Sequence, residues 1–279
     1  MEIVVVMVLI YVVSRFLTKN IVEMLCNAGE PECRALNYRG KAIPAIGGIV
    51  FAPIMLIAVL LLLFLSPLRL LEYLKYLLIV YCMGFTGIVD DLAGNKEIKG
   101  LTRHWSSTLG GHMTTGFLKA LSGFLIACAV SIGTPADLRE LPVNVLIIAL
   151  SANTINLFDL RPGRAIKVFI LYSLLLLSAA IADIKAAAPL MALVLAVLAY
   201  GRYDLKEICM LGDTGANILG ISLGYYSTLL LGFETRLILA VVLVGINLMA
   251  ERVSISELIG RSRLLSYIDA LGREDGGGR

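Results

Sequence analysis

The sequence predicts an all-α, polytopic membrane protein of about nine transmembrane helices, with its functional site on the cytoplasmic face. Three observations lead there. Of 279 residues, 58% are apolar and only 16% charged, with a mean hydropathy of +0.87, whereas soluble domains carry about 45–50% apolar and roughly 25% charged residues. The charged residues cluster between long apolar runs. The basic residues then divide unevenly: with the first run entering from outside, 18 of the 24 lysines and arginines fall in inner segments and 5 in outer ones, Lys119 lying within the fourth run. Lysine and arginine accumulate on the cytoplasmic side, which places the N-terminus outside and the C-terminus in the cytoplasm.

The nine runs are 2–17, 46–65, 72–89, 113–132, 142–158, 165–182, 187–200, 213–231 and 235–250. A helix needs about 20 residues to cross the hydrocarbon core. The first run has no basic n-region and no small-residue cleavage site, so it reads as a span rather than a signal peptide. The second is entered through Pro44 and Gly47-Gly48, the third ends on Asp90-Asp91, and the fifth carries Asn153, Asn156 and Asp159 near its end. The seventh is the weakest, with the look of a tilted or partly interfacial segment. After the ninth, a cytoplasmic amphipathic segment over 251–279 follows the transmembrane domain of 1–250. In it Leu258, Ile259, Leu264, Leu265, Ile268 and Leu271 are available for a membrane-facing side. The five cysteines form no CxxC pair and have no histidine at ligand spacing, so free thiols are expected. A net charge of +3 is too small to imply a nucleic-acid partner.

The outer loops are short connectors, and the inner loops hold nearly all the unusual polar residues. The first, "NYRGKAIPAIGGIVF", offers Arg39 and Lys41 as positive charge, with a rigid proline and glycines that admit close approach. Its plainer reading is a basic flank ahead of a small-residue packing site. The second places Asp90 and Asp91 at a helix C-terminus, where negative charge is unfavourable, so something positive is expected opposite them. Lys96, Lys99 and Arg103 follow, and carboxylates with lysines suit a Mg²⁺–phosphate site. His104 and His112 read as interfacial residues rather than ligands. In the third, Asn153, Asn156 and Asp159 stand three residues apart on one helix face, either lining a site or joining helices. Beyond them "RPGR" sets Arg161 and Arg164 about a turn, a candidate anion clamp. The fourth, "MLGDTGANILG", opens the eighth run on Asp213, read as an N-cap or as a site residue whose helix dipole favours a nearby phosphate. Taken together, Asp90, Asp91 and Asp213 are expected to converge on one Mg²⁺, the missing positive charge.

The motifs "RGKAIPAIGG", "GIVDD…KGL", "NTINLFD" and "LGDTG", in this order from about Asn37 to Gly220, resemble those of the polyprenyl-phosphate N-acetylhexosamine-1-phosphate transferases. The resemblance implies transfer of a sugar phosphate from a nucleotide-sugar, of the UDP-N-acetylhexosamine type, to polyprenyl phosphate, with release of a nucleoside monophosphate for cell-envelope glycan assembly. It implies Mg²⁺ (or Mn²⁺) as cofactor and, by family habit, a homodimer. It makes Asp213 a metal ligand supported by Asp91, and Asp90 and Asp91 the acidic pair at the lipid phosphate. Lys99 and Lys119 would bind phosphate, and Asn156 and Asp159 would line the nucleotide-sugar cleft. Arg39, Lys41, Asn153, Arg161 and Arg164 complete the expected substrate-binding set.

Three departures mark this chain. The family's "DGLDG" is replaced by "DLRPG", which puts Pro162 at a position that helps read the base. The region after the ninth run, "ERVSISELIGRSRLLSYIDALGR", has no histidine where the family has a His-rich loop, and no tenth run follows. The loss of an acidic residue at 162 and of the His-rich loop favours the competing reading, a catalytically silent relative that binds lipid phosphate as a scaffold or regulator, and retention of Asp90, Asp91, Asn156 and Asp213 argues against it. A transporter is disfavoured because the charges sit at one face rather than along a path, and a phosphatidyl-type transferase because no aspartate series follows Asp159.

Overall fold

In lipid a chain cannot leave backbone amides unpaired, so apolar runs become helices. The computed structural model describes residues 2–28, 33–93, 115–132 and 139–273. Nine long helices stand among them, at the positions of the nine runs. They are α1 (Glu2–Asn27), α2 (Phe51–Leu65), α3 (Leu70–Ala93), α4 (Thr115–Ile132), α5 (Leu141–Phe158), α6 (Arg164–Ala179), α7 (Ala188–Leu205), α8 (Gly212–Leu230) and α9 (Phe233–Ala250). Five segments among the described residues are long and apolar enough to cross a membrane: Gly47–Leu65, Pro67–Ala93, Leu141–Phe158, Ala188–Leu205 and Phe233–Ala250. The protein is an all-α membrane protein with one small addition.

That addition is a hairpin where a basic flank was expected. Strands β1 (Arg34–Leu36) and β2 (Ala42–Pro44) pair antiparallel, Arg34 opposite Pro44. The Asn37 side chain closes the turn by accepting the backbone N–H groups of Arg39 and Lys41, each at 2.9 Å. Past the hairpin the chain bonds to the lead-in of α8: Met210 N–H donates to Pro44 O, Gly47 N–H to Met210 O and Gly48 N–H to Leu211 O, at 2.8–2.9 Å.

Helix α8 is the centre of the bundle. Every residue from Thr214 to Ser227 is buried, and α3, α5 and α6 pack around it. A helix surrounded by protein has no need of lipid-grade hydropathy, so Asn217, Ser222 and Ser227 are tolerated along it. The same argument corrects the expectation for the seventh run. It forms a full 18-residue helix, α7, with 72% of its span buried against protein, and its alanines serve helix packing.

The C-terminal segment also departs from expectation. It is two short helices, α10 (Ile255–Arg261) and α11 (Arg263–Ala270), broken at Ser262, whose hydroxyl caps α11. Leu258 and Ile259 turn partly inward, while Leu264, Leu265, Ile268 and Leu271 remain exposed.

Two glycines set the approach of α3 to α8. Gly87 lies directly against the Thr214 backbone, where a Cβ would collide, and Gly212 holds a left-handed φ of 73° against Ala45 O. Gly87→Ala should therefore lower thermal stability by about 1–3 kcal/mol through overpacking. Gly245→Ala, in α9 with nothing within 4 Å of the added carbon, should be neutral or slightly stabilising. Melting curves of the two variants in detergent check this, and equal losses would refute it.

Candidate functional site

A helix presents about four N-terminal N–H groups with no partner of its own. At the start of α8 those groups are met by carboxylates from three other segments. Asp204, near the end of α7, accepts Leu211 N–H at 3.3 Å and Gly163 N–H at 2.6 Å. Asp159, just past α5, draws a hydrogen bond from Gly212 N–H. Asp91, near the end of α3, accepts Asp213 N–H at 2.8 Å on Oδ1, and both the N–H (2.9 Å) and hydroxyl (2.6 Å) of Thr214 on Oδ2.

This answers the question of what faces the acidic pair: the positive end of the α8 dipole lies against Asp91. It also corrects two expectations. The N-cap of α8 is supplied in trans by Asp91, and Asp213 lies within the first turn of the helix rather than at its cap position. The first amides of α8 are engaged by carboxylates, so they are not a bare cradle for phosphate.

The arrangement concentrates negative charge. Burial pushes the Asp159 carboxyl well above the ordinary range, and Asp204, Asp213 and Asp91 add to the shift in that order. Asp90 lies half-buried one residue before Asp91, about 100° around α3, so the two carboxylates face different neighbours. Among the described residues no three His, Cys, Asp or Glu side chains form a metal cage. Mg²⁺ is commonly held by one or two carboxylates with waters and substrate phosphates, and hard oxygens gathered in this negative cluster fit that mode.

The expected substrate-binding residues separate into groups. Asn156 is half-buried on the face of α5 that leads to Asp159. Asn153 is instead occupied between helices: its amide donates to Asn247 Oδ1 at 2.6 Å, and Asn247 donates to Thr154 at 2.9 Å, the helix-joining alternative. Arg39 reaches Tyr38 Oη at 2.7 Å and Glu207 at 3.2 Å, while Lys41 is exposed at the hairpin turn. Lys99, with Lys96, Arg103, His104 and His112, lies outside the described residues, as does the side chain of Lys119 in α4.

The two guanidiniums of the "RPGR" turn do not act as one clamp. Arg161 stacks on the Tyr38 ring, 4.4 Å from its centroid, beside the hairpin. Arg164 points the other way and is 6% exposed, with Nε and Nη2 on the two oxygens of Asp269 (2.8 and 2.9 Å) and Nη1 on Ser256 (2.9 Å). Those bonds consume the outward donors that an anion would need.

Sequence reasoning missed Asp204, Glu207, Tyr38, Thr214 and Asp269. The signal for Asp204 was present, a carboxylate at the end of an apolar run, the same anomaly that singled out Asp90 and Asp91. Asp269 and Glu207 gave none, since their partners stand 105 and 168–170 residues away.

The family model described as glycosyl transferase family 4 matches residues 73–231, from within α3 to the end of α8. No curated protein matches the chain.

Removing the Asp91 carboxylate leaves two amides and a hydroxyl unpaired, so Asp91→Ala should cost about 1–2 kcal/mol of stability, a capping-sized loss. Asp90→Ala should cost less. Denaturation of both in detergent checks the order, and a larger loss at Asp90 would overturn the capping role.

A second expectation concerns pH. Burial opposes ionisation of Asp269, but the bonds and charges of Arg164 and Arg273 outweigh it and hold its carboxyl below the usual value of 3.8. A depressed folded value gives stabilisation that is full above the unfolded value and is lost as pH falls through the folded one. Pepsin should therefore spare 255–273 at about pH 4 and cut it only in stronger acid. Asp269→Asn protein should be cut at both; equal protection of the two proteins would show that the pair does not hold the segment.

Proposed function

The chain belongs to glycosyl transferase family 4, the sugar-phosphate transferases that act on a lipid carrier, and from that premise we propose that it moves a sugar-1-phosphate from a nucleotide-sugar to polyprenyl phosphate. The products would be polyprenyl-diphosphate-sugar and a nucleoside monophosphate, in service of cell-envelope glycan assembly. The donor class we favour is a UDP-N-acetylhexosamine. The observation that carries the reading is the meeting of Asp91, Asp159 and Asp213 at the start of one buried helix. That end of the bundle would face the cytoplasm, with nine spans and the N-terminus outside, as the basic residues direct.

In this reaction an oxygen of the lipid phosphate attacks the donor's β-phosphorus, and the bond from that phosphorus to the bridging oxygen breaks. A phosphate monoester is largely dianionic near neutral pH, so little base catalysis is required. Charge neutralisation and in-line placement carry the rate. Asp213 and Asp91 would hold Mg²⁺, which when bound offsets diphosphate charge. Asp91 in addition fixes the first turn of α8 and so positions Asp213. Asp90 would face the lipid phosphate, and Asn156 and Asp159 would line the donor cleft. Lys99 and Lys119 would take phosphate charge, with Arg39, Lys41 and Arg161 at the rim. Asn153 and Arg164 serve as supports, being committed to Asn247 and Asp269.

A catalytically silent lipid-phosphate binder is the second reading, favoured by Pro162 in place of an acidic residue. The experiment is nucleotide release by the purified protein in detergent with Mg²⁺, polyprenyl phosphate and a panel of UDP-, CDP- and GDP-sugars. One donor should yield a lipid-dependent nucleoside monophosphate, lost on chelation and reduced by on the order of 10²–10³-fold or more in Asp213→Ala. No release from any donor, by protein that still binds polyprenyl phosphate, would establish the silent reading instead.

A further inference from the structure

Helix α11 packs the wrong way round for a helix on a water-facing protein surface. Its polar side is the buried one. Asp269, 12% exposed, takes Arg164 from α6 and Arg273 from its own chain at 2.7–2.9 Å. Arg273 also donates to Pro162 O at 2.8 Å, and Lys167 of α6 donates to Asp269 O at 2.7 Å. Its apolar side is the exposed one: Leu264 is 68% and Tyr267 66% exposed, with Leu265, Ile268 and Leu271 beside them. On α11 Leu264, Leu265, Tyr267 and Ile268 share one broad face, Leu271 follows at its C-cap, and Asp269 is turned away from that face toward α6.

Burying charge while exposing leucine is unfavourable in water, and the orientation makes sense if the outer side meets hydrocarbon. Two features identify that medium. The face opens at Leu264, 14 residues past the end of α9 at Ala250, and α9 is a candidate span whose Ile238, Val241 and Leu248 are 63–67% exposed, so the face is tethered close to the membrane. Arg252, Arg261 and Arg263 are exposed around it against Glu251 and Glu257, the second of which pairs with Arg261, leaving a small excess of the cations that accompany interfacial helices on anionic lipid.

We infer that residues 255–273 form a strap lying on the anionic lipid surface, with Leu264, Leu265, Tyr267, Ile268 and Leu271 in the acyl boundary and Asp269 and Arg273 gripping the turn at 160–164. The grip extends toward the site. The turn's Gly163 N–H is held by Asp204, whose other oxygen holds Leu211 at the head of α8. Lipid contact on one side of the strap and the geometry of the turn on the other are therefore linked through one ion-paired carboxylate. The inference stands on the membrane location of the chain and needs no catalytic activity.

The test uses the full chain in nanodiscs of phosphatidylcholine with or without phosphatidylglycerol, with brominated acyl chains as quencher. Tyr267→Trp in a Trp105→Phe background reports on the strap, and Leu271→Trp in the same background serves as a second probe. Both should be blue-shifted and quenched by the brominated chains, more so with the anionic lipid and less at high salt. Asp269→Asn should speed amide exchange over 161–167 on the order of tenfold or more. Unquenched, red-shifted emission from both probes in both lipids would overturn the lipid contact. Loss of quenching together with a dimeric mass would assign the face to a second copy and overturn it equally. Unchanged exchange over 161–167 in Asp269→Asn would overturn the grip.

Discussion

A helix that begins inside a protein must find partners for its first amides, and in this chain three separate segments deliver them. Asp204, Asp159 and Asp91 meet Leu211, Gly212, Asp213 and Thr214 in sequence. Each comes from just before or just past the end of a different helix, so the ends of α7, α5 and α3 are all registered against the start of α8. The hairpin adds a fourth tie through Pro44, Gly47 and Gly48. Shifting any of these helices by one turn would break the set and leave buried amides and carboxylates unpaired, which is costly on both counts.

The same solution produces a chemical property. Carboxylates suit a helix N-terminus electrostatically, but a fractional dipole cannot balance four of them, counting Asp213. Burial first, and the neighbouring carboxylates with it, hold Asp159 toward its protonated form. An anion approaching such a place would need positive charge in company. Structure and chemistry thus share one cause, and Asp91 serves both.

The sequence made the helices legible because hydropathy is a property of composition and run length, and nine runs returned as nine helices among the described residues. Asp90, Asp91 and Asp213 were legible because a charge beside an apolar run is anomalous wherever its partner sits. What stayed hidden was partner choice. Asn153 and Asn156 are indistinguishable by spacing, yet only α9's Asn247 separates the first from the second. Arg161 and Arg164 flank one turn, yet Tyr38 claims one and Asp269 the other. The hairpin was hidden because Gly and Pro signals fit a loop as well as a two-strand turn, and the Asn37 side chain that closes the turn locally is itself anchored by Glu207, 170 residues away.

The "DLRPG" turn bears on whether the departures from the family's motif signify decay. Residue 162 carries no acidic group here, yet its surroundings are far from relaxed. The Pro162 carbonyl accepts Arg273, Gly163 adopts a left-handed φ of 73° and gives its amide to Asp204, and Arg164 is locked by Asp269 and Ser256. The turn gathers a proline, a left-handed glycine and one buried arginine on a single stretch of backbone, and each is held by a segment distant in sequence. The same turn carries Arg161, half-buried against the Tyr38 ring of the hairpin. Loss of an acidic residue at 162 is therefore not accompanied by loss of order, and the turn is held as firmly as the helix ends around it.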